Sequence, residues 1–449
     1  MRRVTFILLF SCAVALSAAE ADVQTDTLKN HITIDLNYRA RGQVIDGALP
    51  KPSDPLETPE KLTYFLENRI QMRFTYQWEK WLEACVQLHG SGVWGSTPSL
   101  GFTIREARVT FRAPFGLFGE IGRIPLSYDD ERIIGMDDWA MMSLSHDVMR
   151  FGYEGHGHKV HAILAYNHND DILKGGSFYD ASVAMPYKLM TDLWYNYEHP
   201  DFPLGVSALF MNIGLQAGEK GSEYNPPKTV YQQVMGGYAK YHPDFMTLEA
   251  SGYYQRGWDV AEWTQPIKVK AWMASVKADI HFDARYGFVL GYDYMSGDDY
   301  VVVAENGGFG TIYHEYCKGF RPVYGSRYKF YGIMDYFYQS AYNNGFTPGL
   351  QNAYLGFHTT PVKGLDASVN IHYLAAATKM RDNLGQSLGT SLDLQVGYQF
   401  NPFINLTGSF SYMHGTETMQ KIKQGYGYTN VYMAWLALVV NPTIFNKKW

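Results

Sequence analysis

Apolar and polar residues alternate along most of this chain, from residue 31 to residue 440. The first such stretch alternates Ile32, Ile34, Leu36 and Tyr38 with Thr33, Asp35, Asn37 and Arg39. A period of two places successive side chains on opposite faces of a β-strand. The pattern therefore predicts an all-β protein whose strands have one apolar and one polar face.

The same alternation recurs in segments whose length suits a membrane. Examples are residues 69–76, 106–113, 367–373 and 392–400. A repeat of about ten residues matches a tilted membrane-spanning strand. A secreted soluble β-protein, such as a polysaccharide-binding sandwich, would alternate as well and is the alternative.

The connections between these segments alternate in length. Short turns are predicted near 78–81, 114–117, 155–158, 199–204, 242–245, 283–286, 361–364 and 401–403. Longer polar stretches separate them, at 40–61, 91–103, 125–147, 168–185, 215–229, 257–267, 297–326, 376–387 and 415–428. Bacterial barrels have short periplasmic turns and long extracellular loops. We therefore expect both ends of the barrel wall in the periplasm.

The strand count follows from this arrangement. About nineteen candidate strands can be drawn, but an odd number would separate the two ends of the wall. The segment Arg327 to Tyr338 breaks the alternation of turns and loops. Without it, the sequence predicts a single antiparallel transmembrane β-barrel of about 18 strands. Residues 297–350 then form one long excursion that folds onto the mouth or into the lumen.

The first residues have the features of a secretory signal peptide. Two arginines precede an apolar run over residues 4–16, and small residues then allow cleavage after Ala19 or Ala21. The run is too short to cross a bilayer as a helix. We expect residues 1–21 to be removed and residues 22–449 to form the barrel.

Composition supports a barrel. Aromatic residues make up 16% of the chain, with 35 Tyr and 43 Gly, while the mean hydropathy is only −0.24. Many aromatics without a later apolar run of about 20 residues suit a barrel with aromatic girdles and a polar lumen. The formal charge of −6 argues against nucleic acid as a partner. The expected partners are outer-membrane lipid and lipopolysaccharide and a hydrophilic or anionic saccharide solute, with periplasmic or outer-membrane proteins left open.

Three cysteines bear on processing and cross-linking. Cys12 and the residues before it could instead form a lipoprotein cleavage site, which is the alternative to ordinary signal cleavage. After cleavage Cys85 and Cys317 remain, so the sequence predicts no disulfide framework and leaves a single bridge open.

Two blocks of sequence resemble the alginate-export family of eighteen-stranded outer-membrane barrels, particularly its members in Bacteroidetes-like bacteria. The first block is Gly122 to Gly135 (GRIPLSYDDERIIG), followed by Trp139 and Asp147 to Arg150. The second is Tyr324 to Phe337 (YGSRYKFYGIMDYF). The resemblance implies an exopolysaccharide conduit or a porin-like channel, with an arginine-lined constriction for an anionic chain. Tyr328 stands where family members often have a histidine.

Arginines recur on the polar side of the predicted strands. The lumen-facing candidates are Arg39, Arg69, Arg73, Arg108, Arg112 and Arg150, and Arg123 joins them with a parity made uncertain by nearby glycines. A guanidinium binds carboxylates through two hydrogen bonds and stays charged, so these residues predict an anion-selective positive track. In the alternative, the arginines pair with acidic residues and only line the wall. Those acids would be Glu67, Glu106, Glu120 and Glu154.

The third long loop contains an acidic block. Its sequence is Tyr128-Asp129-Asp130-Glu131-Arg132. We expect it to fold inward, narrow the lumen and pair with lumen arginines, so Tyr128, Asp129, Asp130 and Arg132 are included in the candidate pore site. A solvated surface loop is the alternative. Acid pairs at 129–130, 137–138, 170–171 and 298–299, all expected outside, could also bind Ca²⁺. No cofactor is predicted.

Two motifs raise the question of chemistry. His89-Gly90-Ser91-Gly92 resembles the His-x-Ser-x-Gly pattern of outer-membrane phospholipases, but His89 and Ser91 have lumen-facing parity. Three histidines have metal-like spacing without a neighbouring carboxylate or cysteine. They are His156, His158 and His161.

The function predicted from the sequence is a passive outer-membrane pore rather than an enzyme. A barrel enzyme acting on lipid and a non-conducting scaffold barrel are the alternatives. A TonB-dependent receptor needs a plug domain and about twenty-two strands, too many for this length.

Overall fold

The computed structural model describes residues 29–46, 62–96, 101–181, 185–260, 266–283, 285–298, 316–337, 347–380, 384–423 and 430–449. The predicted signal peptide, with Cys12, lies outside the described residues.

Antiparallel strands make up most of the described chain. Their bounds are β1 Asn30–Asp46, β2 Leu62–Trp78, β3 Leu82–Val93, β4 Gly101–Arg112, β5 Leu117–Ile124, β6 His146–Gly155, β7 His158–Tyr166, β8 Leu189–Glu198, β9 Leu204–Ala217, β10 Lys228–Tyr241, β11 Met246–Asp259, β12 Ile267–His281, β13 Tyr286–Met295, β14 Tyr316–Cys317, β15 Leu350–Val362, β16 Leu365–Ala375, β17 Ser387–Asn401, β18 Ile404–Gly415, β19 Asn430–Val440 and β20 Thr443–Lys448. A 3₁₀ turn at Pro114–Gly116 and helices α1 Asp170–Leu173 and α2 Glu417–Lys423 are the helical elements among the described residues.

The sheet closes on itself. Each wall strand pairs with its neighbours in the chain, β13 pairs with β15, and β19 returns to β1. The two-residue β14 lies beside β12 in parallel and is not part of the wall. The wall is therefore a closed antiparallel barrel of eighteen strands, which confirms the predicted fold class.

The last wall strand is built from two pieces, β19 and β20. β19 pairs with β1 at Tyr38 to Asp46, and β20 continues the pairing from Asp35 to His31. Proline has no N–H to offer a neighbour, but the Pro442 carbonyl accepts a hydrogen bond from Leu36 at 3.0 Å. β20 therefore completes the seam between the last strand and the first.

Short turns lie at the end of the barrel that also holds Asn30 and Trp449, which exchange two backbone hydrogen bonds. They join β2 to β3, β4 to β5, β6 to β7, β8 to β9, β10 to β11, β12 to β13, β15 to β16 and β17 to β18. The β6–β7 turn has positive φ at both His156 (52°) and Gly157 (79°), as a tight two-residue hairpin requires. The predicted alternation of short turns and long loops is confirmed, and we refer to the turn end as periplasmic.

The outer face of the wall is apolar. Outward side chains such as Phe102, Leu355 and Leu436 are more than half exposed. Large exposed aromatics gather near the short turns, as in the interfacial girdle of a membrane barrel. They include Trp78, Trp81, Phe115, Phe202, Phe245, Phe282, Phe400 and Phe403. A closed barrel with this belt is an outer-membrane protein. Among the described helices, none is long and apolar enough to cross a membrane.

The hydrophobic core lies inside the barrel, in its extracellular half. Inward-facing residues near the extracellular ends of the strands are almost fully buried, for example Met190, Met211, Ile213 and Met295. They pack against two stretches that fold into the barrel, which we name the inner loop (residues 125–145) and the inner segment (residues 318–337).

The inner segment contains the stretch that the sequence excluded from the wall. Arg327 to Phe337 forms no wall strand, and Tyr331 and Phe337 are buried inside the barrel. The prediction is confirmed for these residues, while Tyr338 lies outside the described part of the chain.

Candidate pore and its lining

The inner loop contacts one side of the barrel through Asp129. This carboxylate accepts hydrogen bonds from Trp194 Nε1 at 3.0 Å, Ser207 Oγ at 2.5 Å and Tyr253 Oη at 3.3 Å, on β8, β9 and β11. Burial raises the pKa of Asp129, although these donors act in the opposite direction. The neighbouring Tyr128 hydroxyl lies 3.0 Å from His161 Nδ1 and accepts a hydrogen bond from Arg150.

Arg132 holds the next part of the inner loop. It pairs with Asp130 at 2.8 Å and with Asp293 of β13 at 2.7 Å, and its guanidinium lies 4.1 Å from the centre of the Phe330 ring. It also donates to the Tyr331 hydroxyl. Burial alone would lower the pKa of Arg132, but Asp293 and Asp130 outweigh it, so the pKa lies above its usual value and the group stays charged.

The other end of the inner loop contacts the opposite wall through arginines. Arg39 and Arg69 donate to the Asp138 carbonyl at 2.9 Å and 2.8 Å, and both also reach the Ala140 carbonyl. Arg105 donates to the Asp138 carboxylate at 3.1 Å. The inner loop therefore spans the lumen from β8–β13 to β1, β2 and β4.

Trp139 strengthens that attachment. The Arg41 guanidinium lies 4.3 Å from the centre of one Trp139 ring and donates to the Trp139 carbonyl. Trp139 also contacts Trp435 of β19, with ring centroids 4.5 Å apart. Arg41 is held in turn by an ion pair with Glu67 of β2. Wall residues on β1 and β19 thus contact this side chain, and Glu67 of β2 holds Arg41 in place.

The inner segment pairs with the inner loop. Gly135 and Tyr324 are joined by a backbone hydrogen bond of 2.8 Å, and Ile134 and Tyr324 form a parallel bridge. Arg327 binds Asp137 at 3.0 Å and Lys329 binds Glu131 at 3.1 Å. The two stretches form one body inside the barrel.

Other predicted arginines form a ladder of ion pairs with acidic residues on neighbouring strands. Arg73 pairs with Glu106 at 2.6 Å. Arg108 contacts Glu83, Glu106 and Glu120, and Arg150 pairs with Glu120. Glu154 contacts His161 instead. These contacts fit the alternative in which the arginines pair with acidic residues and only line the wall. Arg73, however, has 38% of its side chain exposed and remains available to a solute.

Two of the predicted arginines lie away from the constriction. Arg123 lies three residues after the inward-facing Glu120, and an odd number of residues along a strand places a side chain on the opposite face. Arg123 therefore faces outward, and the prediction of a luminal Arg123 is wrong. It pairs with Asp147 at 2.7 Å beside outward Ile121 and Met149. Arg112 is exposed at the periplasmic turn, near Trp81.

Sequence reasoning missed two arginines that hold the inner loop. Arg41 has the same parity as Arg39 and could have been included on that signal. Arg105 has the opposite parity. It turns inward because of a β-bulge: Gln87 pairs with Glu106, the next residue Leu88 pairs with Ile104, and Arg105 between them has no partner in the register. Nothing in the alternation indicates where that bulge lies.

Toward the periplasm, the inner loop and inner segment cover a polar cavity of about 430 Å³. Its wall includes Lys240, Glu249 and Lys277, which lie side by side on β10, β11 and β12. Lys277 binds Glu249 at 3.1 Å, whereas Lys240 is exposed. Lys329 of the inner segment faces the same cavity. Sequence reasoning missed these lysines because they are far apart in the chain.

The structure places the two histidine motifs differently with respect to the lumen. His89 is buried on the luminal side, 3.3 Å from Ser91 Oγ and 3.0 Å from the Gln71 amide, as its parity predicted. His161 faces inward, whereas His158 stacks on Tyr195 of the outer face, so the two cannot share a metal.

The acid pairs that were considered for calcium are bound by donors of the protein itself. Four of these acids lie inside the barrel and not outside, which corrects the prediction: Asp129, Asp130, Asp137 and Asp138. Asp170 and Asp171 bind Lys174 and Lys220. Asp298 accepts three backbone hydrogen bonds, and Asp299 lies outside the described residues.

Cys85 and Cys317 are both buried free thiols, so the bridge left open by the sequence is absent.

No family model matches the chain, and no curated protein matches it.

Solved structures match it over nearly their whole length. Pseudomonas aeruginosa OccK9 (OpdG) has a TM-score of 0.60 at 13% identity, covering 91% of this chain and 98% of its own. The fold is that of outer-membrane porins. P. aeruginosa OpdK with vanillate and OccK2 (OpdF) with glucuronate each give a TM-score of 0.59 at 12% identity, covering 92% of this chain and 98% of theirs.

Proposed function

We propose that this protein is a passive outer-membrane channel for small hydrophilic solutes that prefers anions bearing a carboxylate. One observation carries the preference: Lys240 and Lys277 flank the single Glu249 on the wall of the cavity, and Lys329 faces them from the inner segment. The acids on the cavity wall are less exposed than the lysines: the side chains of Asp130, Glu249 and Asp393 are 15%, 21% and 2% exposed, against 38% for Lys277 and 45% for Lys329. Lys277 and Lys329 pair with Glu249 and Glu131, and Lys240 is exposed. The charge that a solute can reach in the cavity is therefore mainly positive, which favours anions.

The likeness to porins supports passage in general, and two matching structures hold vanillate and glucuronate, both carboxylates. Small solutes also suit the shape of the lumen, because the inner loop crosses it and the inner segment packs on that loop. A polysaccharide chain, as the resemblance to alginate-export proteins implies, would require both stretches to move aside. We therefore propose a monomeric uronate or a similar small acid as the solute.

Planar-bilayer recordings of the purified barrel test this proposal. In asymmetric dilute salt the reversal potential should indicate anion preference, and glucuronate should block the current. Replacing Lys240 and Lys277 together by Gln should shift the reversal potential toward cations and weaken the block, with a smaller effect at high salt because salt screens the charges.

A matched control replaces Lys174 and Lys220 by Gln, since these lysines pair with acids in an extracellular connection. The control should leave selectivity unchanged. Unaltered selectivity in the Lys240/Lys277 variant would reduce the proposal to a non-selective channel. A barrel that conducts nothing would favour the scaffold alternative.

A further inference from the structure

A cluster of two histidines and an aspartate lies on the luminal face near the periplasmic end, away from the inner loop. The residues are Asp279 and His281 on β12 and His358 on β15. One ligand atom from each lies within 4.8 Å of the others, and among the described residues this is the group of three whose spacing suits a metal ion. We propose that it binds a divalent transition metal of the Zn²⁺ class.

The backbone explains how side chains from non-adjacent strands meet. β13 separates β12 from β15, and Gly287 of β13 pairs with both His281 and His358. A Cβ atom at Gly287 would lie only 2.3 Å from His358 Nε2. The glycine therefore leaves the space in which the two imidazoles approach, with their ring centroids 5.8 Å apart.

The distances are close to those of a metal site. His358 Nε2 lies 2.8 Å from Asp279 Oδ1, and His281 Nδ1 lies 3.9 Å from the same oxygen. Ligand atoms around a tetrahedral zinc are separated by about 3.3 Å, because each lies about 2.0–2.2 Å from the ion. The two observed separations fall on either side of this value, so small side-chain rotations bring all three atoms to one centre.

The donor set indicates the kind of ion. Two imidazoles and one carboxylate suit zinc, nickel or copper better than calcium or magnesium, which prefer oxygen ligands alone. The side chains are about one-fifth to one-third exposed, so an ion can enter from the lumen and keep water in its remaining positions.

Titration calorimetry of the full barrel in detergent, with Zn²⁺ as the probe, tests this inference directly and without reference to transport. The intact protein should show a saturable site. His281→Ala, His358→Ala and Asp279→Asn should each weaken it by roughly tenfold or more, since loss of an outer-shell partner alone costs that much. Gly287→Ala keeps every ligand and should weaken binding as well, by displacing His358.

His31→Ala is the matched control. His31 is at the same end of the barrel, but among the described residues its ring nitrogens contact the amide oxygens of Gln77 and Asn446 and no carboxylate. This variant should bind Zn²⁺ as the intact protein does. Absence of a saturable site, unchanged affinity in the His281 and His358 variants, or an equal loss in the His31 variant would overturn the inference and leave a plain histidine–carboxylate hydrogen bond. Co²⁺, whose visible absorption reports coordination, gives a second readout on the same variants.

Discussion

At the scale of single residues, the body inside the barrel depends on buried charges that satisfy one another. Arg132 is the clearest case, because it is 5% exposed and bridges Asp130 of its own loop to Asp293 of the wall. Removing one partner of a buried ion pair leaves the other charge without compensation. The attachment of the inner loop to β13 therefore rests largely on this side chain.

Replacing Arg132 by Leu should lower the free energy of unfolding by about 3–5 kcal/mol, because Asp293 would stay buried without its partner. Denaturant unfolding in detergent, followed by tryptophan fluorescence, measures the change. Arg123→Leu is the control, since the Arg123–Asp147 pair is about 40% exposed on the outer face. Exposed pairs contribute less than about 1 kcal/mol. Equal stability of the two variants would refute the role assigned to Arg132.

At the scale of elements, the sequence predicts the wall far better than the lumen. A period of two identifies the strands and, where the strand is regular, their inner faces, because lipid lies on one side of the wall and polar groups on the other. Contacts between residues outside the regular strand pairing leave no such signal in the sequence. The bulge that turns Arg105 inward, and the contacts between Asp137 and Arg327, depend on chain packing and not on local pattern.

The acidic block illustrates the same limit. Its inward course could be predicted from its position beside a strand end, and Tyr128 does contact one of the expected arginines, Arg150. The partners of its acidic residues could not be predicted. Asp129 binds neutral donors on β8, β9 and β11 instead of the expected arginines. The arginines engage Asp138 and backbone carbonyls further along the loop. The two ends of one loop thus contact opposite walls, which no local motif encodes.

Trp139 offers a test of the inner loop as an element. Trp139→Ala removes the contacts with Arg41 and Trp435, which together should contribute about 1–3 kcal/mol to docking. Undocked loops should become more frequent, by roughly tenfold for each 1.4 kcal/mol lost. Single-channel recordings should show larger and more variable conductance.

Trp94→Ala serves as the control for Trp139→Ala, because Trp94 is 60% exposed near the extracellular end of β3. It should conduct like the unaltered protein. An unchanged conductance in the Trp139 variant would mean that the arginine contacts hold the loop without the ring.

At the scale of the whole molecule, closure of the barrel depends on its last seven residues. The periplasmic part of β1, from His31 to Asp35, pairs with β20 on one side and β2 on the other. Asn30 and Trp449 complete the seam with reciprocal backbone hydrogen bonds of 2.9 Å and 3.0 Å. An open strand edge within a bilayer leaves backbone groups without partners, at a cost of several kcal/mol for each group.

Deletion of residues 443–449 should therefore prevent stable closure, although β19 would still pair with the extracellular part of β1. A folded barrel migrates faster than its heated form in mild detergent electrophoresis, and the deletion variant should lack the fast form. Thr443→Ala is the matched control: it removes only the 2.6 Å hydrogen bond from Thr443 Oγ1 to Asp35 and leaves the backbone pairing intact. If the deletion variant keeps the heat-sensitive fast form, β19 alone closes the barrel, and β20 is an accessory to the seam.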